Sequence, residues 1–130
     1  MVWDPLRKKE VADTPEEGVR QWFIGMLAAA GVPQSLMQSE VSFKFGNKPY
    51  RADILVYDRS AQPLAIVECK RPTVVITQTA AEQALKYHGV LGVRYIILTN
   101  GNNSYIYKRK GSGFAACDHL PSYTEMTCQQ

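Results

Sequence analysis

The sequence has no apolar run long enough to cross a bilayer as a helix, and its first ten residues, M-V-W-D-P-L-R-K-K-E, lack the apolar segment of a secretory signal. We therefore expect a cytoplasmic protein with no membrane partner. The only cysteines are Cys69, Cys117 and Cys128, which are scattered without metal-ligand spacing, as is usual in a reducing compartment. The phosphate-binding pattern G-x-x-x-x-G-K-[ST] is also absent, so these residues contain no ATP motor of that type.

A strong excess of one charge is missing as well. The formal net charge is +3, which permits a polyanionic partner without demanding one. With 130 residues, 45% of them hydrophobic and 21% charged, the chain has the composition of a globular protein. That length predicts a single domain, residues 1–130, with one core.

The pattern of apolar and turn-forming residues predicts an α-β-β-β-α-β-β order. A polar N-terminal arm precedes a helix that begins at the N-cap Thr14 and ends at Gly31. The remaining predicted elements are strands over 38–45, 50–58 and 64–70, a helix over 79–89 with Thr79 as its cap, and strands over 93–99 and 104–108. We expect an α/β fold with a central mixed sheet flanked by helices, a core over about 14–110, and a loosely attached tail over 111–130.

The most informative segment is Leu64–Lys70, L-A-I-V-E-C-K, an apolar strand with a charged pair at its far end. Because side chains of a strand alternate between its two faces, Glu68 and Lys70 point the same way and Cys69 points to the other face. A charged pair at the end of a buried strand carries a desolvation cost. A site that handles a metal and a phosphate needs this arrangement.

A second carboxylate belongs to the preceding strand, Y-R-A-D-I-L-V-Y-D. If the two strands form a hairpin in which Asp58 faces Pro63, antiparallel pairing places Asp53 opposite Glu68. A slip of one residue would move Asp53 opposite Cys69 and onto the wrong face. The predicted site therefore depends on the length of the loop.

These residue types suit metal-assisted cleavage of a phosphodiester. Mg²⁺ binds oxygen ligands, commonly one or two carboxylates with waters and phosphate oxygens. Asp53 and Glu68 supply carboxylates, and the backbone carbonyl of Cys69 is placed to be a third ligand. Lys70 can orient or deprotonate the attacking water and offset negative charge, and its high ordinary pKa favours the electrostatic role.

The motif D-x(14)-E-C-K-R-P-T resembles that of the PD-(D/E)xK nuclease superfamily, with Ala52 where the name of the motif has proline. The stretch from Pro15 to Tyr107 resembles the N-terminal nuclease domain of the R subunit of type I restriction enzymes. The resemblance implies a restriction-endonuclease-like fold, Mg²⁺ (or Mn²⁺) held by Asp53 and Glu68, and Lys70 serving the water. It also implies a further metal ligand from the first helix, Glu17 or less favourably Glu16.

Relatives of this family carry a Q-x-x-x-Y motif on the helix after the lysine strand, which Gln83-Ala84-Leu85-Lys86-Tyr87 matches. The resemblance implies that Gln83 and Tyr87, which share one helix face, contact DNA and support the site. The resulting hypothesis is a Mg²⁺-dependent DNA endonuclease, with motor, modification or specificity subunits of a restriction system as further partners. Two alternatives stay open: a catalytically silent DNA-binding or assembly module on the same fold, and a small interaction protein.

Each candidate residue also has a purely structural interpretation. Glu68 and Lys70 would then be a surface ion pair at a strand end, and Asp53 an edge-strand carboxylate beside Arg51. Glu17 could complete a capping box with Thr14. Gln83 and Tyr87 could form the border of an amphipathic helix, and the two histidines, His88 and His119, could be ordinary residues rather than ligands.

Overall fold

In the computed structural model, which describes residues 1–128, a mixed six-stranded sheet carries helices on both faces. The elements in chain order are β1 (Val2–Asp4), β2 (Lys9–Val11), α1 (Pro15–Ala29), β3 (Met37–Phe45), β4 (Lys48–Tyr57), β5 (Pro63–Cys69), α2 (Gln78–His88), β6 (Tyr95–Thr99), β7 (Ser104–Lys110), β8 (Gly113–Cys117) and α3 (Tyr123–Thr127). Short 3₁₀ turns cover Gln34–Leu36 and Gly89–Leu91. The predicted fold class is confirmed.

The sheet has the order β3-β4-β5-β6-β7-β8. Only the central pair, β5 and β6, is parallel; every other neighbouring pair of the described strands is antiparallel. A parallel pair needs a crossover, and α2 provides it. The carboxyl ends of β5 and β6 therefore lie side by side at the same end of the strands, where Cys69 pairs with Thr99.

Threonine hydroxyls set the beginnings of the two longer helices. Thr14 Oγ1 accepts a hydrogen bond of 3.1 Å from the backbone N–H of Glu17, as the sequence predicts for α1. For α2 the predicted cap is wrong. The hydroxyl of Thr77, rather than Thr79, accepts from the N–H of Ala80 at 3.1 Å, so the helix begins earlier and Thr79 lies inside its first turn.

The sheet separates two clusters of buried side chains. One cluster lies between the sheet and helices α1 and α3, and includes Phe23, Leu27 and Met126. The other lies on the opposite face beneath α2, where Ala84 packs with Ile96 and other apolar residues. None of the helices within residues 1–128 is long and apolar enough to cross a membrane.

The N-terminal residues are more ordered than the predicted polar arm, because they form the hairpin β1–β2. Its residue Asp4 is fully buried and accepts hydrogen bonds from the N–H of Leu6 at 2.8 Å and from the hydroxyl of Ser39 at 2.8 Å. Arg7 forms an ion pair with the same carboxylate. A buried acid with several donors thus fixes the hairpin to β3.

The expectation of a loosely attached tail over 111–130 is wrong for the part that the structure describes. Residues 113–117 form β8 at the edge of the sheet, and α3 packs into the first cluster. The Tyr123 N–H donates to the Ala30 carbonyl at 2.8 Å, and the Arg94 guanidinium donates to the carbonyls of Met126 and Cys128 at 2.8 and 2.7 Å. The last two residues of the predicted tail, Gln129 and Gln130, lie outside the described residues.

Because α3 belongs to the core, shortening one of its side chains should destabilise the whole fold. Met126 is 0% exposed, whereas Met26 on α1 is 39% exposed. We expect Met126→Ala to lower the free energy of unfolding by about 2–5 kcal/mol, measured by urea denaturation. Met26→Ala is the matched control, with an expected change of about 0.5 kcal/mol or less. Equal effects of the two substitutions would contradict a core position for α3.

Candidate active site

The candidate site lies at the carboxyl end of β5, beside the middle of the neighbouring strand β4. The pairs Ile54–Val67 and Leu55–Ile66 have the antiparallel register that the sequence predicts, and Asp53 and Glu68 are the residues next to the pair Ile54–Val67. The loop end of the hairpin differs from the prediction. Pro63 pairs with Tyr57 rather than Asp58, because the register shifts by one residue next to Val56.

Asp53 lies on an interior strand, since β4 has neighbours on both sides. This rules out the edge-strand interpretation. Its side chain is 17% exposed. One carboxylate oxygen accepts a hydrogen bond of 2.6 Å from the backbone N–H of Cys69, and the other accepts from Arg20 at 3.1 Å. Asp53 thus joins the end of β5 to helix α1.

Glu68 is held by two cationic or potentially cationic side chains. Its Oε2 lies 2.9 Å from Lys70 Nζ, and its Oε1 lies 3.1 Å from His88 Nε2. The hydrogen bond with His88, together with Lys70, lowers the pKa of Glu68 from 4.5 to about 2, although burial alone would raise it. Glu68 is therefore a carboxylate at neutral pH, as a metal ligand must be.

Lys70 remains protonated in this arrangement. The hydrogen bond with Glu68 raises the pKa of Lys70 above its ordinary value, and Asp53 and Glu16 add to the effect through their charges. A lysine with a raised pKa is a poor general base at neutral pH. In the structure as it stands, Lys70 is suited to supply positive charge beside the carboxylates.

The thiol of Cys69 lies in the first buried cluster, on the face of β5 opposite to Glu68, as strand alternation predicts. Burial raises its pKa, with Asp53 adding to the effect. The thiol is therefore neutral and unsuited to bind a hard cation. Only the backbone carbonyl of Cys69, the atom predicted from the sequence, is suited to contact a metal.

Glu17 is buried and makes ion pairs rather than a capping box. Its Oε1 accepts hydrogen bonds from Arg7 at 2.6 Å and Arg20 at 2.7 Å, and its Oε2 accepts from Gln21 at 3.0 Å. These donors lower its pKa, although burial, the largest single influence, raises it. Glu16 is 3.7 Å from Arg20 at its nearest atoms.

Arg20 is the centre of this acidic region, and it was not among the residues predicted from the sequence. The buried guanidinium contacts Glu17, Asp53 at 3.1 Å, and Glu40 at 3.0 Å. The only signal in the sequence is local: Arg20 lies three and four residues after Glu17 and Glu16, a spacing at which helix side chains meet. Nothing local indicates its contacts with β3 and β4.

Glu40 was also not predicted, although continuation of the β3–β4 register places it opposite Asp53. Its φ is 55°, a value that non-glycine residues rarely adopt. Side-chain alternation breaks at this level: Ala52 belongs to the cluster beneath α2, whereas Ile54 belongs to the cluster beneath α1. The break in the strands coincides with the two carboxylates, which is characteristic of functional sites.

The predicted pair on α2 lies on the second face of the sheet. Gln83 is exposed one turn before Tyr87. The Tyr87 ring contacts the Tyr50 ring at a centroid distance of 4.9 Å and the His88 ring at 4.8 Å. Tyr87 is thus connected to Glu68 through His88, a residue that the sequence alone presents as ordinary.

His88 is the third residue that was not predicted from the sequence. Its side chain is almost fully buried, and within residues 1–128 its Nδ1 has no hydrogen-bond partner. The contact with Glu68 bridges α2 and β5, which are far apart in sequence. Only its position next to Tyr87 in the Q-x-x-x-Y helix could have drawn attention to it.

The donor set fits a hard divalent cation, with one restriction. In the part of the chain that the structure describes, no three or more His, Cys, Asp and Glu side chains are grouped closely enough to hold a metal ion. Mg²⁺, however, commonly takes only one or two carboxylates and completes its shell with water and phosphate oxygens. Asp53 and Glu68 are two carboxylates on adjacent strands, but Asp53 contacts Arg20 of α1 and Glu68 contacts His88 of α2, on opposite faces of the sheet.

Comparison with known proteins places this chain in a family. The model of the family described as "Type I restriction enzyme R protein N terminus (HSDR_N)" matches residues 15–121. No curated protein sequence is significantly similar to the chain. Among solved structures, a fragment of a candidate HsdR subunit of a type I restriction enzyme from Vibrio vulnificus is similar at 20% identity and a TM-score of 0.64. The chain covers 26% of that structure, which in turn covers 92% of this chain.

A candidate nuclease of the DUF820 group from Anabaena variabilis is also similar, with 14% identity and a TM-score of 0.55. The alignment covers 86% of this chain and 72% of that one. At these identities the likeness of the structures shows the fold alone. The family match covers most of the sequence and includes Glu17, Asp53, Glu68, Lys70 and the Q-x-x-x-Y helix. The chain therefore belongs to the family of type I restriction enzyme R protein N-terminal domains.

Proposed function

We propose that this chain is a Mg²⁺-dependent DNA endonuclease domain, with Mn²⁺ as an alternative cofactor. The observation that carries the proposal is the placement of Asp53 and Glu68 on adjacent strands, with the Lys70 ammonium 2.9 Å from Glu68. The family supports it, because its members are parts of restriction enzymes. Two acids and an ammonium at the carboxyl end of a buried strand are otherwise costly to maintain.

The carboxylates of Asp53 and Glu68 would hold the metal, with the backbone carbonyl of Cys69 as a further ligand. A bound Mg²⁺ would neutralise phosphate charge and acidify a water molecule. Glu17 is the other candidate ligand. It would have to release one of its three side-chain hydrogen bonds, to Arg7, Arg20 or Gln21, in order to bind.

The protein's own groups have distinct roles in the proposed hydrolysis. Water adds to phosphorus, the bond to one bridging oxygen breaks, and that oxygen leaves with a proton. Lys70, kept protonated by Glu68, offsets the charge that develops on the phosphoryl oxygens. His88 fixes the orientation of Glu68, while Gln83 and Tyr87 lie on the helix that would face the DNA strand.

The setting of this activity is a larger assembly. The chain spans 26% of the length of the Vibrio vulnificus structure, and its sequence has no ATP-binding motif of the G-x-x-x-x-G-K-[ST] type. We therefore propose that motor, modification or specificity subunits of a restriction system deliver DNA to this domain. The cleavage chemistry would reside in the chain itself.

Supercoiled plasmid provides the direct test. We expect incubation with Mg²⁺ to convert it to nicked circles, and we expect EDTA to prevent this, because the metal supplies charge neutralisation at the phosphorus. The measurement is separation of the plasmid forms on an agarose gel over time. Plasmid that stays supercoiled with both Mg²⁺ and Mn²⁺ would contradict the proposal for the isolated chain.

One observation favours a second candidate, a catalytically silent module that binds DNA or assembles with other subunits. The oxygens of Asp53 and Glu68 already have protein partners: Arg20, the Cys69 N–H, His88 and Lys70. In a silent module these contacts would be the permanent state. Salt-sensitive DNA binding without nicking would favour this candidate.

A further inference from the structure

The formal net charge of the chain is concentrated in one hairpin. The segment 41–52, which connects Glu40 to Asp53, contains Lys44, Lys48 and Arg51 and none of the 12 acidic residues. The other 12 basic residues balance those acids, so the whole excess of +3 resides in this segment. Within residues 1–128, Arg51 is the only one of the three that lies near an acid, at 3.8 Å from Glu40, and the Arg51 side chain is largely exposed.

The same hairpin exposes aromatic surface. Phe45, at its end, is 52% exposed, and its ring meets that of Tyr50 edge to face at a centroid distance of 6.4 Å. Tyr50 contacts Tyr87 on α2, which is 37% exposed. Lys48 Nζ lies over both tyrosine rings, at 5.3 and 5.4 Å from their centroids. Tyr50 is itself only 3% exposed, so the exposed rings are those of Phe45 and Tyr87, and Tyr50 packs between them. We call Phe45, Lys48, Tyr50 and Tyr87 the aromatic platform.

The platform is continuous with the candidate active site. The Tyr87 ring meets the His88 ring at 4.8 Å, and His88 Nε2 lies 3.1 Å from Glu68. These groups lie on the α2 face of the sheet, the face toward which Glu68 projects. A strand of nucleic acid that lies on the platform is therefore directed toward Glu68.

We propose that the aromatic platform binds an unpaired nucleic-acid strand next to the cleavage site, so that the substrate is single-stranded or locally opened DNA. Unpaired bases expose faces that stack on aromatic rings, whereas the bases of a duplex are already stacked on one another. Lysines beside the rings would contact the backbone phosphates. This inference rests on the proposed function and specifies its substrate.

The chemistry of the patch favours nucleic acid over a protein partner. The centres of protein–protein interfaces are depleted of lysine and of charge in general. Here one lysine lies over the aromatic rings themselves, and the surrounding segment 41–52 is basic without an acid. Sites for single strands combine these two features, a positive groove and exposed aromatic rings.

The test is binding of a fluorescently labelled oligonucleotide, measured by anisotropy in EDTA so that no cleavage occurs. One set of titrations uses the single strand, and the other uses the same strand annealed to its complement. We expect the single strand to bind more tightly. We expect Phe45→Ala to weaken single-strand binding by about tenfold while changing duplex binding much less. Lys48→Gln should reduce the salt slope for the single strand by about 0.7.

Two variants away from the platform are matched controls. Trp22 on α1 is 43% exposed, close to the value for Tyr87, and α1 packs on the opposite face of the sheet, while Lys110 is an exposed lysine at the end of β7. Trp22→Ala and Lys110→Gln should leave both affinities unchanged. Thermal unfolding of each variant checks that the fold is retained.

The outcomes separate this inference from the proposed nuclease activity. Plasmid nicking by the wild type combined with an unchanged single-strand affinity of Phe45→Ala would overturn the platform and leave the nuclease. An equal loss of single-strand and duplex affinity would also overturn it, because phosphate contacts alone would explain that result. Weaker single-strand binding by Phe45→Ala in a chain that never nicks DNA would support the platform and contradict the nuclease.

Discussion

Asp53→Asn and Glu68→Gln are expected to lower the rate of Mg²⁺-dependent plasmid nicking by at least about a hundredfold, since each removes one negative charge from a site that must hold a divalent cation. Both replacements keep nearly the same shape and can still accept a hydrogen bond. The amide in Asp53→Asn would retain the contact with the Cys69 N–H, and the amide in Glu68→Gln would retain the contact with His88. The measurement is the initial rate of formation of nicked circles.

Matched variants show whether the loss belongs to these positions. Glu82→Gln removes an exposed carboxylate from α2, and Asp118→Asn removes one from the surface near the C-terminus. Both should nick plasmid at the wild-type rate. A Glu68→Gln variant that is folded and nicks DNA at the wild-type rate would exclude Glu68 from the catalytic site and return Glu68 and Lys70 to a structural ion pair.

Glu68→Gln also has an expected effect on stability. The pKa of Glu68 is about 2, so its carboxylate contributes stability that is present above the ordinary pKa of 4.5 and is lost as pH falls toward 2. Glu68→Gln removes that contribution. Thermal unfolding at pH 7 and below pH 4 should therefore show a difference from the wild type that shrinks on acidification.

The parts of this site that the sequence predicts are those whose contacts join residues close together in the chain. The register of β4 and β5 next to Asp53 and Glu68 was predictable because a short hairpin transmits the register along two strands. The prediction assumed a loop ending at Asp58 and Pro63. The structure has an irregularity next to Val56, but the pairs beyond it, such as Ile54–Val67, keep the predicted register.

The parts that sequence reasoning missed depend on contacts between distant segments. His88 meets Glu68 across 20 residues, and Arg20 meets Asp53 across 33. Neither pairing has a local periodicity that would reveal it. The strand β8 and the helix α3 were missed for a related reason: each is five residues long, so its stability derives from packing rather than from its own sequence.

The central position of Arg20 leads to the largest expected effect on stability. Arg20→Met should lower the free energy of unfolding at pH 7 by about 3–5 kcal/mol, because it leaves buried carboxylates without their cation. Methionine retains most of the apolar volume, so the loss reflects charge rather than a cavity. Urea denaturation measures it. A cost below about 1 kcal/mol would contradict the central role of the guanidinium.

The pH dependence of that cost shows whether a carboxylate is responsible. In the wild type, burial raises the pKa of Glu17, while Gln21, Arg7 and Arg20 more than offset this effect and lower it below 4.5. A lowered pKa contributes stability above the ordinary value that is lost as pH falls. Without Arg20, fewer groups offset the effect of burial, so the pKa of Glu17 rises. The difference in the free energy of unfolding between Arg20→Met and the wild type should thus be largest near pH 7 and should decrease below about pH 4.5.

A second substitution separates Glu17 from the other acids. Once Arg20 is gone, Glu17→Gln removes a buried charge that has only Arg7 left to balance it, whereas in the wild type the same change breaks an intact pair. Glu17→Gln should therefore cost less in the Arg20→Met background, with a coupling of about 0.5–3 kcal/mol. Additive effects would show that Arg20 acts mainly through Asp53 and Glu40, which would tie the buried guanidinium to the candidate metal ligand rather than to the helix.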